Sequence, residues 1–246
     1  MKKIIIGIVA KHRDVSVDRP DLVLRDEMKD AVFYNDAIAI GILSPTRTIS
    51  LVDQGNERDY YEKIDRLLSE KEKDALVAQI ELCDGLILAG GSKSDAYEIW
   101  IAKYCYEHDI PLLAICAGQN NLVRAMGGTT KKLENDEEHF CPKQEFVHSV
   151  NVIDKESIFY QMVQEKSLKV NSRHRRVVDN PAGLDVVAVD HEGNIEVVEA
   201  KNKLCFIGMR FHPESLYLKD KRHNNIFKQY IQLCKNRVVC YENITY

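Results

Sequence analysis

At 246 residues and 28.2 kDa, 45% of them hydrophobic, the chain is long enough to bury a sizeable core, and one α/β domain spanning 1–246 is expected. A formal net charge of -4 excludes the long-range attraction on which binding to nucleic acid or an anionic membrane relies, which leaves a small-molecule substrate or a protein partner. Seven scattered cysteines, odd in number and without a CxxC pair, indicate neither a disulfide framework nor a structural zinc site and fit a reducing cytoplasm.

The amino terminus, MKKIIIGIVAKH, sets two lysines before an apolar run, as a signal peptide does. The run stops at Ala10, too short for a signal core with a cleavage site, and no later stretch reaches membrane-spanning length. Residues 4–10 are instead expected to form a buried first strand. A helical pattern at 28–39, a strand at TISLV (48–52) and two charged helices between Glu57 and Glu81 come next. GLILAGG (85–91) reads as a strand and a glycine turn, 96–108 as a helix with Ile99, Ala102, Lys103 and Tyr106 on one face, and PLLAIC (111–116) as another strand. Runs that are apolar on both faces and separated by helices predict a parallel sheet covered on two sides.

After Thr130 the pattern changes. KKLENDEEHFCPKQE (131–145) reads as a polar connection, and shorter alternating segments follow at VHSVNVI, LDVVAVD, NIEVVEA and LCFIGMRFH. Their period of two predicts antiparallel or edge strands added to the parallel core. Ile226, Phe227, Tyr230, Ile231 and Cys234 recur on one helical face, so the chain is expected to pack a last helix on the sheet.

Cys116 stands where a strand runs into a helix, with Ala114 and Gly118 as small neighbours. A cysteine there is either a small buried hydrophobe or a nucleophile whose thiol is acidified by the N–H groups of the helix that follows. FHPES (211–215) follows an apolar run, which places His212 at a strand end as the proton shuttle a thiolate needs. Glu214 is then positioned to orient the imidazole, and Pro213 to fix the local φ. Gly90 and Gly91 allow close approach of backbone N–H groups, which with the amide of Ala117 would form an oxyanion hole for acyl transfer.

GLILAGG, AICAGQ and FHPES, in this order in a chain of this length, resemble a class I glutamine amidotransferase domain. IIIGIVA, YNDAIAIG, AMGGTT, VNSRH (170–174) and NIFKQYIQLC extend the likeness to the γ-glutamyl-γ-aminobutyrate hydrolase branch, peptidase family C26. The resemblance implies a flavodoxin-like three-layer sandwich, mostly parallel with added antiparallel strands. It also implies a Cys116, His212, Glu214 triad and hydrolysis of a γ-glutamyl amide with no metal or organic cofactor. Gln119, Ser172, His174 and Arg210 are the substrate-binding residues that go with it. The chain departs from the family pattern at Ala114, Gln119, Asn120, Arg175, Arg176 and Arg210, and the three arginines are candidates for holding a substrate carboxylate.

Three functions follow. The first is a free-standing γ-glutamyl amide hydrolase working through a thioester. The second is a glutaminase subunit that delivers ammonia to a synthase partner, and the third a binding or regulatory relative without catalysis. A homo-oligomer fits any of them. His139, Cys141 and His148 lie near Asp136, Glu137 and Glu138, but without CxxC or i, i+4 spacing they are expected to form a solvated connection and to bind no metal. GGT at 127–129 is expected to be a helix-ending turn, because a phosphate loop would need a lysine and wider glycine spacing.

Overall fold

Residues 3–12, 21–46, 58–91 and 94–244 are described by a computed structural model. The first apolar run forms β1 (Ile5–Val9), and the short strands β2 (Lys11–His12) and β3 (Leu22–Val23) pair with each other before α1 (Asp26–Tyr34) and β4 (Ile38–Ile42). The charged stretches form α2 (Arg58–Leu67) and α3 (Glu70–Ile80), the latter opened by a capping box in which Ser69 and Glu72 satisfy each other's backbone N–H groups. Then come β5 (Gly85–Leu88), α4 (Ala96–Glu107), β6 (Leu112–Ile115) and α5 (Ala117–Ala125). The later part contains β7 (Thr129–Lys132), β8 (His148–Val152), α6 (Ile158–Val163), β9 (Ser167–Val170), β10 (Arg176–Asn180), β11 (Asp185–Val189), β12 (Ile195–Glu199) and β13 (Phe206–Met209). The chain closes with α7 (Lys221–Ile244).

One sheet runs in the order β4-β1-β5-β6-β13-β12-β11-β8-β9, with β10 attached to β12 and β7. Its first five strands are parallel, and the strands beyond β13 are antiparallel. Alternate residues of the parallel strands feed two apolar layers. Ile6, Ile8, Ile87, Leu113 and Ile115 pack with Met28, Val32, Phe227 and Tyr230 from α1 and α7. Leu86, Leu88, Leu112 and Ala114 pack on the other face with Ile64, Leu76, Ile99, Ile101 and Leu122 from α2 to α5. Burial on both faces is why these strands read as continuous apolar runs, and the result is a flavodoxin-like α/β sandwich.

Several expectations shift. The helix expected at 28–39 ends at Tyr34, where Asn35 caps it and Asp36 turns left-handed (φ +62°), so IAIGI (38–42) becomes strand β4. Its alternating apolar residues fit either period, and the parallel pairing with β1 decides for strand. The strand expected at TISLV lies outside the described residues. Helix α4 has no single apolar face: Ala96 to Ala102 are all buried, together with Cys105. The segment at 131–145 begins in β7 and includes His139 at 1% exposure, so it is not simply a solvated connection. Gly127 (φ +82°) does end α5, donating to the Arg124 carbonyl. Among the described residues, no helix is long and apolar enough to cross a membrane.

Candidate active site

Strands β5, β6 and β13 lie side by side with Leu88 opposite Ala114 and Ile115 opposite Met209, so the segments leaving their carboxyl ends meet. In an open parallel sheet this edge is where loops can surround a ligand. It receives Gly90 and Gly91 from β5, Cys116 from β6, and His212 and Glu214 from β13.

Cys116 is the residue before α5, with φ +53° and ψ -107°, a conformation L-residues rarely adopt. Two contacts hold the turn: its amide donates to the Met209 carbonyl at 2.8 Å, and its carbonyl accepts from the Gln119 amide at 3.0 Å. Gly118 is required here, because a Cβ would stand 2.3 Å from the Leu88 carbonyl oxygen. Ala114 is not part of the turn; it lies inside β6 between Leu88 and Gly208, where its methyl packs in the core.

His212 is 3% exposed, and its Nδ1 lies 2.7 Å from Glu214 Oε1. A carboxylate only accepts, so Nδ1 carries the proton of this bond and Nε2 is left for the cysteine. Gly90 adjoins both partners: a Cβ on it would sit 2.7 Å from His212 Cε1 and 3.3 Å from Cys116 Cβ. Gly91 faces away, toward the Lys11 side chain. The Ala117 amide opens α5, among the N–H groups that a helix leaves unbonded at its start.

Burial alone would push the Cys116 thiol up, but the charge of His212, its hydrogen bond and the charge of Arg210 outweigh it and bring the thiol down to about 7. Burial would likewise lower His212, yet Glu214 and the Cys116 thiolate hold it up at about 10. Each member stabilises the charged form of its neighbour, which favours a thiolate beside an imidazolium. Cys83, Cys105 and Cys205 are pushed up by burial, so the depression at Cys116 comes from its neighbours rather than from the residue type.

The four residues expected to bind substrate are all turned into the protein. Gln119 is fully buried and its Nε2 donates to the Glu196 and Gly208 carbonyls at 3.0 and 3.1 Å. The Ser172 hydroxyl donates to the His139 carbonyl at 2.6 Å. His174 is buried beside His139, His148 and Glu196. Arg210 is 1% exposed, with its guanidinium donating to the Cys116 carbonyl at 3.2 Å and to Asn120 Oδ1 at 2.6 Å. Arg175 pairs with Asp136 and lies over the Phe140 ring, and Arg176 donates to the Thr130 carbonyl. Arg210 does lie beside the nucleophile turn, but its guanidinium bonds the backbone carbonyl there.

Asn171 joins the site although no sequence motif assigns it a role there. It lies in VNSRH at the end of β9, and its side-chain amide bonds both backbone groups of His212. An asparagine directly after a strand of alternating burial, with Leu168 and Val170 inside, is the one signal the sequence offers for it.

A model of the Peptidase C26 family matches residues 92–214. The chain is 23% identical over 167 residues to a subunit of the glutamine-hydrolyzing GMP synthase of Sulfolobus acidocaldarius, an alignment covering 66% of this chain and 82% of that protein. It is 27% identical over 177 residues to the CTP synthase of Chlamydia muridarum, covering 59% of this chain and only 33% of the synthase. A Trypanosoma brucei CTPS glutaminase domain with bound acivicin shares the fold at a TM-score of 0.65 and 14% identity, covering 95% of this chain and 94% of that one.

Proposed function

Because the chain belongs to the Peptidase C26 family, we propose that it is a cysteine-dependent amidase that cleaves the γ-carboxamide of glutamine and passes the ammonia to a synthase partner. The observation that carries this reading is the meeting of Cys116, from the end of β6, with His212 and Glu214, from the end of the adjacent β13, with the thiol brought down to about 7. The relatives supply the choice of substrate: one belongs to a glutamine-hydrolyzing synthase and another is a whole synthase of which this chain spans about a third.

The Cys116 thiolate attacks the γ-carbonyl carbon, and the oxyanion is met by the Ala117 amide at the start of α5 and by the backbone at Gly90. As the C–N bond breaks, imidazolium Nε2 gives its proton to the leaving nitrogen. Neutral His212 then takes a proton from water, and the hydroxide attacks the thioester carbon; the C–S bond breaks, releasing glutamate and restoring the thiolate beside the imidazolium. Glu214 holds the imidazole through Nδ1 in both halves. These steps need no metal. Residues 1–246 form one such domain in this reading, and the free thiols among the described residues fit a reducing cytoplasm.

A second reading, a free-standing hydrolase of γ-glutamyl amides, is favoured by the match to the C26 model itself and uses the same steps with an amine as leaving group. Purified protein is given glutamine and a panel of γ-glutamyl amines, with ammonia and amine release followed separately. Faster turnover of glutamine supports the first reading and faster release of amines the second. No turnover, together with no mass adduct at Cys116 from a glutamine-like chloroketone, leaves the non-catalytic relative.

A further inference from the structure

Away from the reacting groups, four side chains from separate segments converge. His139 comes from the 133–147 connection, His148 opens β8, His174 lies between β9 and β10, and Glu196 sits in β12. One ligand atom from each falls within 4.8 Å of all the others. Their side chains are 0 to 5% exposed, yet six of their nitrogen and oxygen atoms have no hydrogen-bond partner: His139 Nδ1, His148 Nε2, both nitrogens of His174 and both carboxylate oxygens of Glu196. Buried polar atoms are nearly always bonded, and so many unsatisfied ones in one place call for a missing partner.

The pattern of what is bonded identifies that partner. His139 uses Nε2 toward the Glu192 carboxylate at 3.3 Å, and His148 uses Nδ1 toward the Glu138 carbonyl at 3.4 Å. In both rings the outer nitrogen is anchored and the inner one is bare, as when a metal-bound imidazole donates its other N–H to an acceptor behind it. Glu196 Oε1 lies 3.6 Å from His148 Nε2 and 3.5 Å from His174 Nε2. Those separations are long for hydrogen bonds but match the edge of a tetrahedron with zinc-ligand bonds, roughly 3.3 to 3.6 Å. Buried Asp190 adds a second carboxylate 3.7 Å from His139 Nε2, and Arg210, the nearby cation, directs its two terminal nitrogens to the Cys116 carbonyl and Asn120 Oδ1.

We propose that His139, His148, His174 and Glu196 form a four-coordinate site for Zn²⁺ that fastens the 133–147 connection to the sheet. All four positions are filled by protein and the cluster is buried, so the ion is structural and independent of the amidase chemistry. It adjoins the reacting groups through β12, whose Glu196 carbonyl accepts from the Arg210 amide at 2.8 Å, and through the 170–174 segment, which carries both His174 and Asn171. The expectation of no metal came from judging the loop histidines alone; Cys141 does stay out, its thiol on the Glu137 carbonyl, while His174 and Glu196 join from far along the chain.

The test uses the full chain, stripped with chelator, dialysed against Zn²⁺ and measured by elemental mass spectrometry and thermal melting. About one zinc per chain, a melting temperature raised by Zn²⁺, and retention of the zinc in Cys116→Ser are expected, with Co²⁺ giving the visible bands of a tetrahedral site. His174→Ala and Glu196→Gln, checked for folding by circular dichroism, are expected to lose at least about tenfold in zinc affinity. Sub-stoichiometric zinc in the wild type with no melting shift overturns the proposal, as does zinc that survives both variants or disappears with Cys116. If neither variant folds, the wild-type melting shift and the Co²⁺ spectrum decide alone.

Discussion

The side-chain amide of Asn171 grips the backbone of His212 from both sides, Nδ2 donating to its carbonyl and Oδ1 accepting from its amide, each at 2.8 Å. Asn171 lies at the end of β9 and His212 beyond β13, so this pair locks a distant strand end to the segment that carries the imidazole.

Asn171→Ala is therefore expected to lower kcat about tenfold or more while leaving KM nearly unchanged, because it frees the imidazole without touching substrate. Asn171→Asp keeps one of the two bonds and is expected to fall between. Steady-state kinetics with chemical denaturation separates this from plain destabilisation: equal activity per folded molecule in all three proteins would show that Asn171 does not position His212.

Cys116→Ala and Cys116→Ser are expected to lose turnover to below about 10⁻³ of wild type. Cys116→Gly should be equally inactive yet as stable as the wild type or up to about 1 kcal/mol more so, since glycine relaxes a backbone held at φ +53°. A glycine variant that melts well below the wild type would mean that the turn stores no strain.

The paired charges predict a bell-shaped dependence of kcat/KM on pH. Activity rises as the thiolate forms near 7 and falls as the imidazolium loses its proton near 10, both values belonging to the pair rather than to one group. Glu214→Gln removes the carboxylate that holds His212 up, so its alkaline limb moves to lower pH, with measurable turnover remaining. His212→Asn is nearly as damaging as loss of the cysteine. An alkaline limb that stays in place in Glu214→Gln would remove Glu214 from the triad.

Arg210→Gln tests the sequence expectation against the structure. A guanidinium binding substrate would cost activity only with substrates that carry a second carboxylate. The buried Arg210 instead supports the Cys116 carbonyl and lowers the thiol, so the loss should be uniform across substrates. It should come with a raised thiol pKa and a stability loss of about 3 kcal/mol, from a buried charge network left incomplete. Arg175→Gln and Arg176→Gln should change kcat/KM less than about tenfold. Carboxylate-selective loss in any of the three would return that arginine to substrate binding.

The parallel half of the fold and the convergence of the candidate triad, Cys116, His212 and Glu214, were legible in the sequence because both depend on short-range order. Strands buried on two faces need unbroken apolar runs, and a side chain presented at a strand end must follow such a run, as Cys116 follows Leu112–Ile115 and His212 follows Phe206–Met209. Local pattern is silent where position depends on contacts across the sheet. IAIGI at 38–42 suits helix or strand until β1 supplies its hydrogen bonds. Gln119, Ser172 and Arg210 have the chemistry of ligand-binding residues, and only the packing shows that Gln119 Nε2, the Ser172 hydroxyl and the two terminal guanidinium nitrogens of Arg210 already donate to carbonyls and to Asn120. His139, His148, His174 and Glu196 are separated by up to half the later chain and share no spacing. Their meeting is decided by strand order and by the path of the 133–147 connection, neither of which a linear sequence displays.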